Sequence, residues 1–271
     1  MGRAPDFIGV GVQKAGTSWL AACLNEHPQV RIPIKETGFF TDWYEVGVER
    51  YGEKLGEGTM SWQVVGEFST KYFHVPGTAE RIWMSFPFAK ILVVLRNPVD
   101  RFESVWKHQR MRGRVVDFEQ AFEWSKYADR LEEWLKWFPE MKVVLYESLV
   151  GRPEYWIREL YRWLGVETEF RPGILRVRVN RSIGVRSTWA MKRLDGLGKL
   201  RYWVGFKWFW WDPWFVKFRD WVKRWNQGEE FGFNDFERRV AWGMFEEDVK
   251  RVELMIGKTG WGWWHGFENE K

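Results

Sequence analysis

Short apolar runs alternate with segments of helical spacing along the first two thirds of the chain. Phe7–Val12 is an apolar run ending in glycine-containing sequence and reads as a buried strand. Thr17–Glu26 follows with helical spacing. Lys90–Leu95 is apolar after its first residue, as expected of a central parallel strand covered on both faces. Asn97 then caps a helix with Pro98 at its first position. Met141–Tyr146 reads as a third strand, and a helix over Pro153–Leu164 stops at Gly165. This alternation predicts an α/β fold, a P-loop-like parallel β-sheet flanked by helices on both faces. Residues 171–200 lack firm periodicity and read as a long loop with short helical pieces. Asp212-Pro213 opens a helix with Trp214, Phe215, Phe218, Trp221, Val222 and Trp225 on one side, and a last amphipathic helix is expected over Asp235–Ile256.

No Ser/Gly/Pro-rich linker or charge block divides the 271 residues, so a single domain is expected. Within it, about 5–165 forms a nucleotide-binding core, about 166–230 an acceptor and lid region, and about 235–257 a C-terminal helix. A content of 45% hydrophobic and 29% charged residues suits a soluble globular domain and excludes a disordered chain. The net charge of +5 is compatible with an anionic ligand. No zinc spacing or basic arm supports nucleic acid as a partner. Cys23 is the only cysteine, so no intramolecular disulfide forms and a reducing, cytoplasmic location is expected. Cys23 itself reads as a small buried helix residue. The N-terminus lacks the apolar run of a signal peptide, and no charge-free apolar stretch is long enough to span a bilayer.

The 22 tryptophans and 21 phenylalanines must be mostly core. The densest stretch, 203–225, also carries Lys207, Lys217, Arg219, Lys223 and Arg224. It has three readings, in this order: a helix packed over the sheet, an apolar wall for a lipid-like or aromatic acceptor, and a membrane-surface helix.

The chemistry begins at Gly11-Val12-Gln13-Lys14-Ala15-Gly16-Thr17-Ser18-Trp19. Two glycines bracket four residues, and the helix start behind them offers free N–H groups and a positive dipole end to an anion. A nucleotide-kinase loop places its lysine directly after the second glycine. Here Thr17 stands at that position and the lysine is Lys14, inside the loop. Lys14 would therefore sit beside a 5′-phosphate and offset charge on a departing phosphate oxygen. The bland alternative is an ordinary strand–turn–helix with a solvent-facing lysine. At the other strand end, Arg96 leaves the carboxyl end of Lys90–Leu95, where ligands bind in doubly wound sheets, and its guanidinium fork suits a phosphate. Ser104 lies two turns into the next helix and adds a hydroxyl donor.

The segment Gln13–Leu20 resembles the 5′-phosphosulfate loop of sulfotransferases that use 3′-phosphoadenosine-5′-phosphosulfate (PAPS), and Arg96–Trp106 is similar to that family's 3′-phosphate motif. Glu67–Phe73, Tyr146–Leu149 and the stretch from Phe245 to Ile256 followed by Gly260-Trp261 look like further landmarks. The resemblance is strong from Asp6 to Gly165, thin over 166–230, and moderate after that. It implies an enzyme that transfers a sulfuryl group from PAPS to an acceptor hydroxyl or amine, leaving adenosine 3′,5′-bisphosphate, with no metal. It also implies that Lys14, Ala15, Gly16, Thr17 and Ser18 hold the 5′-phosphosulfate, that Lys14 assists the leaving group, and that Arg96 and Ser104 hold the 3′-phosphate. Trp19 would lie against the adenine, with plain core as its rival. Arg181 or Arg186, in Asn180–Thr188, would close a basic loop over the 3′-phosphate, and a solvated arginine is the equal alternative.

Transfer needs a base for the acceptor proton. Lys35-Glu36-Thr37-Gly38-Phe39-Phe40 resembles the carbohydrate-sulfotransferase branch and its bacterial relatives, in which a glutamate three residues before paired phenylalanines is the base. This implies Glu36, against the alternative of a surface carboxylate paired with Lys35. A departure is Phe68, where carbohydrate sulfotransferases often carry lysine; Lys71 is a nearby substitute. That departure weakens a sulfated glycan as acceptor, leaving a carbohydrate, glycolipid or small molecule. The rival functions are a P-loop nucleotide kinase and a non-catalytic nucleotide-binding protein.

Overall fold

The computed structural model describes residues 2–111, 117–176 and 232–257. Among them, five strands run Phe7–Gly11 (β1), Val30–Arg31 (β2), Val64–Phe68 (β3), Lys90–Leu95 (β4) and Lys142–Leu145 (β5). They form one all-parallel sheet in the order β2-β3-β1-β4-β5. β1 is central, and every one of its residues is buried. In register, Phe7 lies between Gly66 and Lys90, and Gly9 between Phe68 and Leu92. Gly9 permits a close approach: a Cβ there would meet the Phe68 ring at 2.1 Å. Phe68 fills that space, edge-on to Phe7 at 6.1 Å, and is fully buried. Phe68 is therefore a core side chain.

The α-helices among the described residues are Thr17–Asn25 (α1), Phe39–Asp42 (α2), Val48–Gly56 (α3), Thr78–Ser85 (α4), Pro98–Met111 (α5), Phe118–Glu123 (α6), Ala128–Trp137 (α7), Tyr146–Gly151 (α8), Pro153–Leu164 (α9) and Asp235–Met255 (α10). Right-handed crossovers decide their faces. The β1-to-β2 connection runs one way across the sheet; β3-to-β4 and β4-to-β5 run the other way. Accordingly α1 packs against α9, while α4 packs against α2 and α7. The α5 start follows the expected signals: Asn97 Oδ1 accepts the N–H groups of Val99 (3.0 Å) and Asp100 (3.2 Å), with Pro98 at the first position. α9 ends on Gly165 in the left-handed conformation. α10 opens with a capping box formed by Asn234 and Glu237. The helix expected from Asp212, the aromatic stretch 203–225, the loop from residue 177 to 200 and Gly260-Trp261 lie outside the described residues. No helix among the described residues is long and apolar enough to cross a membrane.

α10 ties the late chain to the sheet. Arg238 pairs with Asp100 and Glu103 on α5. Val99, Phe102 and Phe245 form an apolar seam where the two helices meet. Asp248 accepts the N–H groups of Tyr127 (2.8 Å) and Ala128 (2.9 Å), which open α7. The Tyr127 hydroxyl then donates to the Arg96 carbonyl at 2.9 Å, holding the end of β4. Asp248→Ala removes an N-terminal cap between two elements and is expected to lower stability by about 1–2 kcal/mol, read by urea denaturation. An unchanged midpoint would show that α10 does not brace α7.

Candidate active site

The turn between β1 and α1 is where an anion can be held. Val12 N–H donates to the Val94 carbonyl at 2.9 Å, so the chain leaves β1 still attached to β4. Lys14 then adopts a left-handed conformation, with φ 69. Gly16 is also left-handed, with φ 75, and precedes α1 without a side-chain cap. The first N–H groups of a helix have no partner within it. Here they face a turn made from Lys14, Ala15, Gly16, Thr17 and Ser18, with Ala15 and Thr17 buried and Lys14 and Ser18 half-buried. Trp19 is half-buried, packed on the core along part of its surface.

The second expected turn meets the first. Arg96, at the carboxyl end of β4, donates from Nη1 to the Lys14 carbonyl at 2.9 Å. Its guanidinium lies 4.9 Å above the Tyr146 ring, which follows β5. Arg96 Nε is buried and has no hydrogen-bond partner among the described residues. An unsatisfied buried donor beside an uncapped helix start suits a phosphate group. Ser104 is buried within α5. Arg181 and Arg186 lie outside the described residues.

Two residues that carried no role in the sequence reading also build this turn. Arg101 is buried on α5; it donates from Nε to the Gln13 carbonyl (3.3 Å) and from Nη1 to Ser125 Oγ (2.8 Å) and the Ala121 carbonyl (3.3 Å). Burial pushes its guanidinium down to about 10. A charged residue in a helix reads as surface, so its alphabet gave no signal. Tyr146 is the other. A Cβ on Gly16 would come within 2.8 Å of its ring. Its position just beyond a parallel strand was the available clue.

Glu36 is the second left-handed non-glycine residue among the described residues, with φ 67. Such a conformation costs on the order of 1–3 kcal/mol and marks functional sites when the surroundings enforce it. The enforcement is visible. Glu36 N–H donates to the Phe68 carbonyl at 2.8 Å. Its carboxylate accepts from the Thr70 N–H (3.1 Å) and hydroxyl (2.9 Å), and from Lys35 Nζ (2.9 Å). Thr70 also lies beside the end of β1, its carbonyl 3.4 Å from where a Cβ on Gly11 would be. The Glu36 side chain stays 44% exposed, open to an incoming molecule. Both readings of Glu36 therefore hold locally: it pairs with Lys35 and is also fixed by a buried threonine. Lys71 pairs with Asp42 at 2.5 Å. Cys23 is buried, and burial chiefly pushes its thiol up to about 12, in keeping with a small core residue.

A family model described as sulfotransferase domain matches residues 4–183, well over half of the chain. The chain belongs to the sulfotransferase family. Heparan sulfate glucosamine 3-O-sulfotransferase 3B1 of Mus musculus is 31% identical over 184 residues, covering 61% of this chain and 47% of that protein. Membrane-associated sulfotransferase kil1 of Dictyostelium discoideum is 34% identical over 125 residues, covering 44% of this chain and 26% of that protein. A solved sulfotransferase from Alicyclobacillus acidocaldarius superposes with a TM-score of 0.68 at 24% identity, covering 96% of this chain and 98% of that one, a likeness of fold. This sulfotransferase-family chain thus spans about half the length, or less, of those two curated relatives. The family match disfavours the kinase reading, in line with Thr17 standing where a kinase lysine belongs.

Gly16→Ala adds a Cβ against Tyr146 at a left-handed position. The expected loss of stability is about 1–3 kcal/mol by urea denaturation. A variant as stable as the parent would place Tyr146 elsewhere.

Proposed function

We propose that this chain is a PAPS-dependent sulfotransferase that moves a sulfuryl group onto a hydroxyl or amine of a carbohydrate-type acceptor. The observation that carries the reading is the contact of Arg96 with the Lys14 carbonyl at 2.9 Å, which sets the two strand-end turns side by side, within reach of one nucleotide. In this reading Lys14, Ala15, Gly16, Thr17 and Ser18 hold the 5′-phosphosulfate, Arg96 and Ser104 hold the 3′-phosphate, and Trp19 lies against the adenine. Arg181 or Arg186, both outside the described residues, is the candidate to close over the 3′-phosphate from the acceptor and lid region, 166–230, of a single domain. The bound donor supplies an activated sulfuryl group and departs as adenosine 3′,5′-bisphosphate.

The protein's own part is positioning and charge. Glu36 takes the acceptor proton as the new bond to sulfur forms. Lys14 offsets the charge that gathers on the 5′-phosphate oxygen as its bond to sulfur breaks. Thr70 holds the Glu36 carboxylate with its N–H and hydroxyl. The similarity to heparan sulfate glucosamine 3-O-sulfotransferases supports a carbohydrate acceptor. Phe68, buried in the core, supplies no cation, so a sulfated glycan is not part of the proposal. The single cysteine supports a reducing, cytoplasmic setting.

The test is a screen with radiolabelled PAPS against sugars, glycolipids, phenols and amines. Transfer to a sugar supports the reading; no transfer to any class would leave a non-catalytic nucleotide-binding protein. Glu36→Gln is expected to lower kcat by about 10²–10⁴-fold with nucleotide affinity unchanged. Unchanged turnover removes Glu36 from the mechanism.

A further inference from the structure

Glu67 is a fully buried carboxylate that the chemistry above does not use. It lies on β3, one strand away from the phosphate turn. Four hydroxyls converge on it. Thr37 Oγ1 donates at 2.6 Å and Ser69 Oγ at 2.9 Å to one oxygen; the Tyr51 hydroxyl at 2.9 Å and the Tyr72 hydroxyl at 3.0 Å reach the other. Burial raises its pKa and these hydrogen bonds oppose the rise.

The arrangement is directional. An ionised carboxylate only accepts, and a hydroxyl has one hydrogen to give. Once that hydrogen goes to Glu67, the hydroxyl oxygen is left to accept. Three of these oxygens then meet three consecutive main-chain donors. Gly38 N–H donates to Ser69 Oγ at 3.1 Å, Phe39 N–H to Thr37 Oγ1 at 3.2 Å, and Phe40 N–H to the Tyr72 hydroxyl at 3.2 Å. These are the donors at the start of α2, directly after Glu36. Glu67 thus orients the hydroxyls that hold the chain segment in which Glu36 keeps its left-handed conformation.

We infer that Glu67 is a positioning residue: it acts through Thr37, Ser69 and Tyr72 to fix Glu36 on Thr70, and has no contact with the reacting atoms. This rests on the reading of Glu36 as the base. A glutamine at 67 would be similar in size yet would carry an amide donor. On whichever side that donor lay, it would face hydroxyl hydrogens, and those hydroxyls would have to turn. The N–H groups of residues 38–40 would then lose acceptors, and Glu36 would lose its fixed place.

The test is a double-mutant cycle on the full chain with Glu67→Gln and Glu36→Gln, using labelled PAPS and the acceptor with the highest rate in the screen. Glu67→Gln alone is expected to lower kcat about tenfold to a hundredfold, the scale of a misplaced catalytic group, with KM for PAPS and bisphosphate affinity unchanged. In the Glu36→Gln background it is expected to cost nothing more. An equal loss in both backgrounds, or a parallel loss of nucleotide affinity, overturns the inference while leaving Glu36 as the base. Wild-type turnover in Glu36→Gln overturns the base reading, and this inference with it. Should Glu67→Gln fail to fold, Thr37→Val carries the same cycle. Thr37→Ser, which keeps the hydroxyl, must then restore turnover; a lack of rescue counts against the relay.

Discussion

The turn after β1 is held by its carbonyl groups. A chain that offers main-chain N–H groups to an anion has to satisfy its carbonyl oxygens elsewhere. Here two guanidinium groups do this: Arg96 takes the Lys14 carbonyl and Arg101 takes the Gln13 carbonyl. Arg101 is buried, and Ser125 and Ala121 accept its remaining hydrogen bonds, so protein groups alone hold it in place. The left-handed conformation of Lys14 is the consequence. The turn is shaped from behind by α5, α5 is braced by α10, and α10 reaches the end of β4 through Asp248 and Tyr127.

A second polar centre lies on the other side of β1. Glu67 organises the start of α2 as the arginines organise the phosphate turn, by acting on main-chain groups. Both devices enforce an unfavourable φ on a non-glycine residue, and those residues are the two assigned to chemistry, Lys14 and Glu36. Thr70 joins the two halves, holding the Glu36 carboxylate with its N–H and hydroxyl while its carbonyl flanks Gly11. Fixed geometry of this kind is what a reaction dominated by positioning and charge requires.

Parts of this were legible in the sequence for simple reasons. β1, β4 and β5 are nearly continuous apolar runs. α5 and α9 carry strong end signals at Asn97-Pro98 and Gly165, and α10 an amphipathic pattern. The edge of the sheet was not legible. β2 is two residues long, and β3 is interrupted by Gly66 and Glu67, where Gly66 admits the Phe7 ring and Glu67 is the buried hub. Lys14, Arg96 and Glu36 could be singled out because their spacing carries chemistry. Arg101 and Glu67 fell inside segments that resembled the family, yet neither could be given a role, since a charged residue without its partners reads as surface, and partners such as Ser125, Tyr51 and Thr37 lie far away in sequence.

The central claim is that the two turns grip opposite phosphates of one nucleotide without a metal. Isothermal titration in the presence of a chelator compares adenosine 3′,5′-bisphosphate with adenosine 5′-phosphate. The account predicts one-to-one binding of the bisphosphate, with the monophosphate about ten- to a hundredfold weaker for loss of the charged contact to Arg96. Equal affinity for the two nucleotides, or binding that appears only with ATP and magnesium, would contradict it.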